Sequence, residues 1–158
     1  MPKSTTTCNN ILALIFNATT WADIAENDTS APAANLYLSL HISDPGVGGS
    51  QLTGETSYTN YVRVAVARTT GGWDVPASAA TANAALVQFA QCGASGATLT
   101  HVAIGTASSG AGLVLYAAAA TAGSWSSSTP SRIEAIRSTS PAQRSRTLSS
   151  ASCAHEVM

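Results

Sequence analysis

The residues able to do chemistry are few and scattered. His41 and Asp44 stand three apart, and an imidazole beside a carboxylate opens many general acid–base sites. Here both read as structure. His41 closes an alternating strand pattern, and Asp44 opens the turn Asp44-Pro45-Gly46, where Pro45 presets φ and Gly46 takes the positive φ of a type II turn. Cys8, His41, Cys92 and His101 are the right types for a tetrahedral metal site, but no two of them have close Cys-x-x-Cys spacing. Asp44 and Glu55 lack the ligand spacing of a calcium loop. The glycines of Gly93-Ala94-Ser95-Gly96 and of the stretch from Gly105 to Gly110 punctuate strands rather than opening helices, so no phosphate-cradling or nucleophile-elbow motif is present. No carboxylate pair is arranged for glycoside hydrolysis. The sequence therefore predicts a non-enzyme with no catalytic residue, no cofactor and no metal.

Composition points instead to association. Only 9% of the 158 residues are charged and the net charge is −1, against roughly 25% charged residues in an ordinary soluble domain. Charge keeps soluble proteins apart, so a chain this poor in it has little to oppose contact with partners or with copies of itself. A homo-oligomer is expected. The apolar run from Ile11 to Phe16 falls well short of the ~20 residues that cross a bilayer, and no membrane segment or secretory leader is expected. Three cysteines, odd in number and far apart, suit reduced thiols made in a cytoplasm. Arg132, Arg137, Arg144 and Arg146 are four of the seven basic residues, but Glu134 and Glu156 dilute them and aromatics are scarce, so nucleic acid is not the expected partner.

These features must be carried by a small set of elements. Ser4 to Thr7 offer N-caps, and no Gly or Pro interrupts the chain from there to Pro32, which predicts a helix from Ser4 to about Asn27. From Asn35 the period changes to two: Leu36, Leu38, Leu40 and Ile42 share one strand face, and Tyr37, Ser39 and His41 the other. Tyr61 to Thr69 predicts a second strand, with Gly71-Gly72 as its turn and Trp73 starting a return. Ala84 to Phe89, Thr98 to Ile104 and Gly112 to Tyr116 predict three more. Strands so spaced imply a mainly β fold, an antiparallel β-sandwich of jelly-roll-like type with an N-terminal α-helix. Its divisions are a helical segment at 1–30, a sandwich at 31–120 and a Ser/Arg-rich tail at 121–158.

Three stretches carry a resemblance. Leu36-Tyr37-Leu38-Ser39-Leu40-His41 with Asp44-Pro45-Gly46, then Tyr58 to Arg68 with Gly72-Trp73, then Thr100-His101-Val102-Ala103-Ile104-Gly105-Thr106-Ala107 resemble small virion proteins of tailed bacteriophages, of the kinds labelled head-decoration or tail-fibre proteins. The opening from Cys8 to Ala18 is also similar to the helical start of such proteins, so the resemblance runs from about Ser4 to Tyr116. It implies a structural virion component assembled in the host cytoplasm. Two roles follow from it: a decoration or cement protein bridging major capsid subunits, and a tail-associated fibre or adhesin that binds a host surface receptor. From Ser124 onward the chain is Ser-rich and departs from the pattern. Both a reading-frame change near Ala117 to Ser124 and a flexible Ser/Arg-rich arm fit that shift.

The expected contact surface is the helix. Ile11, Leu12, Leu14, Ile15 and Phe16 point in more directions than one sheet face can cover, and an exposed large apolar side chain costs roughly 1.5–3 kcal/mol relative to a buried one. Either Ile11 and Leu14, or Leu12 with Ile15 and Phe16, should therefore meet a second chain.

Overall fold

The strongest alternation in the sequence builds the centre of the fold. The computed structural model describes residues 4–21, 33–93, 98–123, 132–133 and 137–139. In it β1 (Asn35–His41) runs antiparallel between β2 (Val64–Ala67) and β5 (Leu99–Gly105), and β6 (Val114–Gly123) completes a sheet of order β2-β1-β5-β6. Leu38 pairs across with Val64 on one side and Ile104 on the other, and Leu40 with Val102, so one sheet face carries Leu36, Leu38, Leu40, Val64, Val66, Val102 and Ile104. That inner face is the core. Tyr37, Ser39, His41, Ala65, Ala67, Ala103 and Gly105 lie on the outer face.

A helix and a run of short strands close the inner face. The helix α1 (Thr5–Phe16) is capped by Ser4, whose hydroxyl accepts from the Thr7 amide at 3.1 Å. It stops where Ala18 turns to φ 52°, a left-handed exit, with the Asn17 and Thr19 amides both returning to the Ala13 carbonyl. Arg68, at the end of β2, donates to the Leu14 and Ile15 carbonyls at 2.8 and 2.7 Å. A cation there satisfies last-turn carbonyls and complements the negative end of the helix. Phe16 is fully buried against Trp73, with ring centroids 4.6 Å apart, and against Tyr116 at 5.5 Å. The helix thus shares one core with the sheet.

Against α1 packs β3 (Ala80–Ala82), which pairs with β8 (Arg137–Thr139), while β4 (Val87–Gln88) pairs with β7 (Arg132–Ile133), giving two two-stranded ribbons. The Ala77 and Ala80 backbones bond to each other in both directions around Ser78 and Ala79, whose φ values of 51° and 60° make a type I′ hairpin turn without glycine. Asn9 of α1 steadies that turn, its side-chain oxygen accepting from the Ala79 amide at 2.7 Å.

The mainly β fold with an N-terminal helix stands as expected. The described residues form one four-stranded sheet and two two-stranded ribbons, and α1 and the segment 72–93, with Trp73, Val87 and Phe89, share the core of the inner face. The helix ends at Phe16 rather than near Asn27. The second strand begins at Val64 because Tyr61 and Arg63 are drawn into other contacts, and β6 extends to Gly123, beyond the expected Tyr116. Two segments of the expected tail form β7 and β8. Cys8 is a free thiol, but Cys92 is disulfide-bonded, which corrects the reading of all three cysteines as reduced. The expected helical stretch at 22–26, and Arg144, Arg146 and the third cysteine, Cys153, lie outside the described residues.

Candidate functional site

The densest chemistry lies where two loops fold over one end of the outer face. Residues 42–57 leave β1 and double back: the Ile42 amide bonds to Gly54, and the Thr56 amide to Leu40. The β5–β6 connection meets this loop through the Gln51 amide, which donates to Gly112 at 2.8 Å. Gln51 is fully buried between them. Its side chain donates to Tyr37 at 3.4 Å and accepts from the Ala107 amide at 3.0 Å. A Cβ on Gly105 or Gly112 would lie within 2.2 Å of the Gln51 amide group, so both positions must be glycine for the two loops to close.

A charged pair locks the junction. Arg63 meets Glu55 side-on, Nε to Oε1 at 2.6 Å and Nη2 to Oε2 at 2.7 Å, and two further guanidinium hydrogens reach the carbonyls of Ala107 and Gly110 at 2.9 and 2.7 Å. Both side chains are nearly sealed from water. The hydrogen bonds it donates to Glu55 are the main cause that raises the Arg63 pKa, so the cation is firm. Tyr61 donates to Glu55 and accepts from the Leu40 amide, and its burial pushes the phenol well above its ordinary range, keeping the proton needed for that donation.

His41 and Ser39 form the other half of the cluster. The His41 Nδ1 must donate to the Thr53 carbonyl at 2.9 Å, which leaves Nε2 to accept the Ser39 hydroxyl at 2.9 Å. A serine hydrogen-bonded to an oriented imidazole is the beginning of a nucleophile–base dyad. Here both side chains have 0% exposure, so no substrate reaches the oxygen. Burial, outweighing the hydrogen bond to Thr53, holds the imidazole below its ordinary pKa of 6.5 and keeps it neutral. Both ring nitrogens are engaged, which leaves none for a metal.

Above this sealed layer the loops present apolar side chains to water. Ile42, Val47, Leu52 and Leu113 are all exposed, and Ser50 and Leu113 form a backbone bridge that ties the two loops together. Asp44 and Gly46 shape the tip as expected: Gly46 has φ 68°, and Asp44 Oδ1 accepts from its amide at 2.8 Å. Pro45 is half of that turn and is itself buried. Asp44 therefore serves the turn, whereas His41 points into the cluster.

The helical candidates divide. Leu12 and Phe16 are buried in the core of their own chain, and Ile15 packs against it, whereas Ile11 and Leu14 remain half-exposed. Sequence reasoning missed the Glu55–Arg63 pair and Gln51. One signal was present: in so uncharged a chain, an Arg inside a Val-rich strand demands a buried anion.

Against this geometry stands a comparison with known families. The family model of the podophage GP4 fiber I protein gp80 matches residues 2–139. The chain belongs to this family. Membership in the gp80 fiber I family makes it a structural virion protein of a bacteriophage. The match runs well past Ala117 to Ser124, so the family likeness extends beyond the motifs that end near Tyr116 and takes in β7 and β8. No curated protein matches the sequence.

Proposed function

We propose that this protein is a subunit of a tail-associated phage fibre that works by protein contact and not by catalysis. The match over residues 2–139 to a fibre family carries this reading, and it favours the fibre over decoration of the capsid. The structure supplies a suitable contact surface. Ile42, Val47, Leu52 and Leu113 stand on loops whose mutual geometry is fixed beneath them by Arg63, Glu55, Gln51 and His41. Preformed loops lose little freedom on binding, so more of the contact energy remains as affinity. The half-exposed Ile11 and Leu14 side of α1 is the attachment to a neighbouring virion protein.

Particles lacking the protein test the assignment. A fibre subunit predicts lost adsorption to host cells with unchanged resistance of the particles to heat. Intact adsorption combined with DNA release at lower temperature would transfer the protein to the head. Within the fibre reading, Leu14→Asp should abolish incorporation into particles while the isolated protein stays folded, whereas Leu12→Asp should unfold it.

A further inference from the structure

The four-stranded sheet has two edges, and they differ. At one, β2 is four residues long and is flanked by Arg63 and Arg68. At the other, β6 runs for ten residues, and no described strand lies on its far side. Sheet edges in proteins that stay single are blunted by charge, proline or brevity, because unpaired backbone groups otherwise recruit another strand. The β2 edge has brevity, while its flanking arginines are turned inward, Arg63 to Glu55 and Arg68 to the end of α1. The β6 edge has none of these devices: its sequence, Val-Leu-Tyr-Ala-Ala-Ala-Ala-Thr-Ala-Gly, holds no charged residue and no proline, and Ala117, Ala118 and Ala119 are exposed.

We propose that β6 pairs antiparallel with β6 of a second copy, joining two four-stranded sheets into one continuous eight-stranded sheet about a two-fold axis. Length selects this partner over the alternative edge. A head-to-tail join of β6 to β2 would match four residues against ten, whereas β6 against itself pairs along its whole length. Chemistry selects it too. In an isologous antiparallel join residue i faces residue j and j faces i, so the alanine run of one copy meets that of the other, where like charges would repel and alanines do not. The tetra-alanine centre, Ala117 to Ala120, sets no bulky side chain in the way of a partner strand. This inference concerns self-assembly and stands independently of whether the particle uses the protein at its tail or its head.

The full chain is examined by sedimentation and by amide hydrogen exchange. The mass should be that of a dimer, and amides between 115 and 121 should gain protection as the concentration rises from about 1 to about 100 µM, as mass action requires. Ala117→Lys with Ala119→Lys places lysines on the exposed outer face, harmless to one chain but opposed to each other across the two-fold axis. This variant should be monomeric. Ala65→Lys with Ala67→Lys, equal in charge on the exposed face of β2, should stay dimeric. A monomeric wild type overturns the proposal, as does a dimer indifferent to the β6 lysines or equally broken by the β2 lysines. So does protection of 115–121 that is independent of concentration, which would mean that the chain covers its own edge. Should the β6 variant fail to fold, the exchange measurement on the wild type alone decides.

Discussion

Replacing Arg63 by leucine tests whether the loop platform is rigid for the reason given. The guanidinium makes four hydrogen bonds, two to the Glu55 carboxylate and one each to the Ala107 and Gly110 carbonyls. Its loss strands a carboxylate whose side chain is only 11% exposed, and breaking a buried pair in this way costs about 3–5 kcal/mol. The two carbonyls add little, because their loop can turn toward water once released. Arg63→Leu combined with Glu55→Leu removes the stranded charge and leaves chiefly the Tyr61 hydroxyl without its acceptor, a cost of about 1–3 kcal/mol. The double variant should therefore be more stable than the single one. Urea unfolding followed by tryptophan fluorescence reports the difference, since Trp73 is fully buried in the native core. If Arg63→Leu costs under about 1 kcal/mol, as loss of an exposed ion pair does, or if the second substitution restores nothing, the pair does not hold the loops.

Acid should act through His41. Its pKa in the fold lies below 6.5 because burial disfavours the imidazolium, so the folded state binds fewer protons there than the unfolded chain. The stability that the neutral ring contributes is complete above 6.5 and is lost as pH falls through the folded value. Urea midpoints measured across this range should drop for the wild type and flatten for His41→Gln. Gly46→Val should destabilise by roughly 1–2 kcal/mol, because φ is 68° while the space around the missing Cβ is open, so only backbone strain is added; an unchanged urea midpoint would contradict the turn geometry. Ser78→Asn with Ala79→Gly, which installs the preferred type I′ pair, should raise stability by about 1 kcal/mol and lift the melting temperature, provided the φ values of 51° and 60° are right.

The parts of the fold that declare themselves in the sequence are those governed by burial period. Leu36, Leu38 and Leu40 alternate because one face of β1 is core, and Val102 and Ile104 do the same in β5. The alternation in Tyr61 to Thr69 misleads at its start, since Arg63 turns toward Glu55 and the Tyr61 hydroxyl toward Glu55 and the Leu40 amide; only Val64 to Ala67 obey the strand period. The end of α1 was hidden because Ala18 carries no sign of its left-handed backbone, and the cap that favours stopping there comes from Arg68, far along the chain. Gln51 and Glu55 sit in a loop whose Gly, Ser and Thr composition suggests only solvent exposure. Their burial is created by strands that the loop folds onto, and no local pattern encodes such a meeting.

The aromatic pocket around Phe16 also sets an order of events during synthesis. Phe16 leaves the ribosome early, but Trp73 follows much later, and Tyr116 only when most of the sheet has been made. Until then the most apolar stretch of the chain, from Ile11 to Phe16, has nowhere of its own to go. Contacts between residues so distant in sequence form slowly, because a long loop must close before they repay its entropy. The nascent helix is thus the segment most open to capture by other nascent copies or by chaperones. Slowing translation after residue 73 should lengthen that window, and moving the helix to the end of the chain by circular permutation should shorten it.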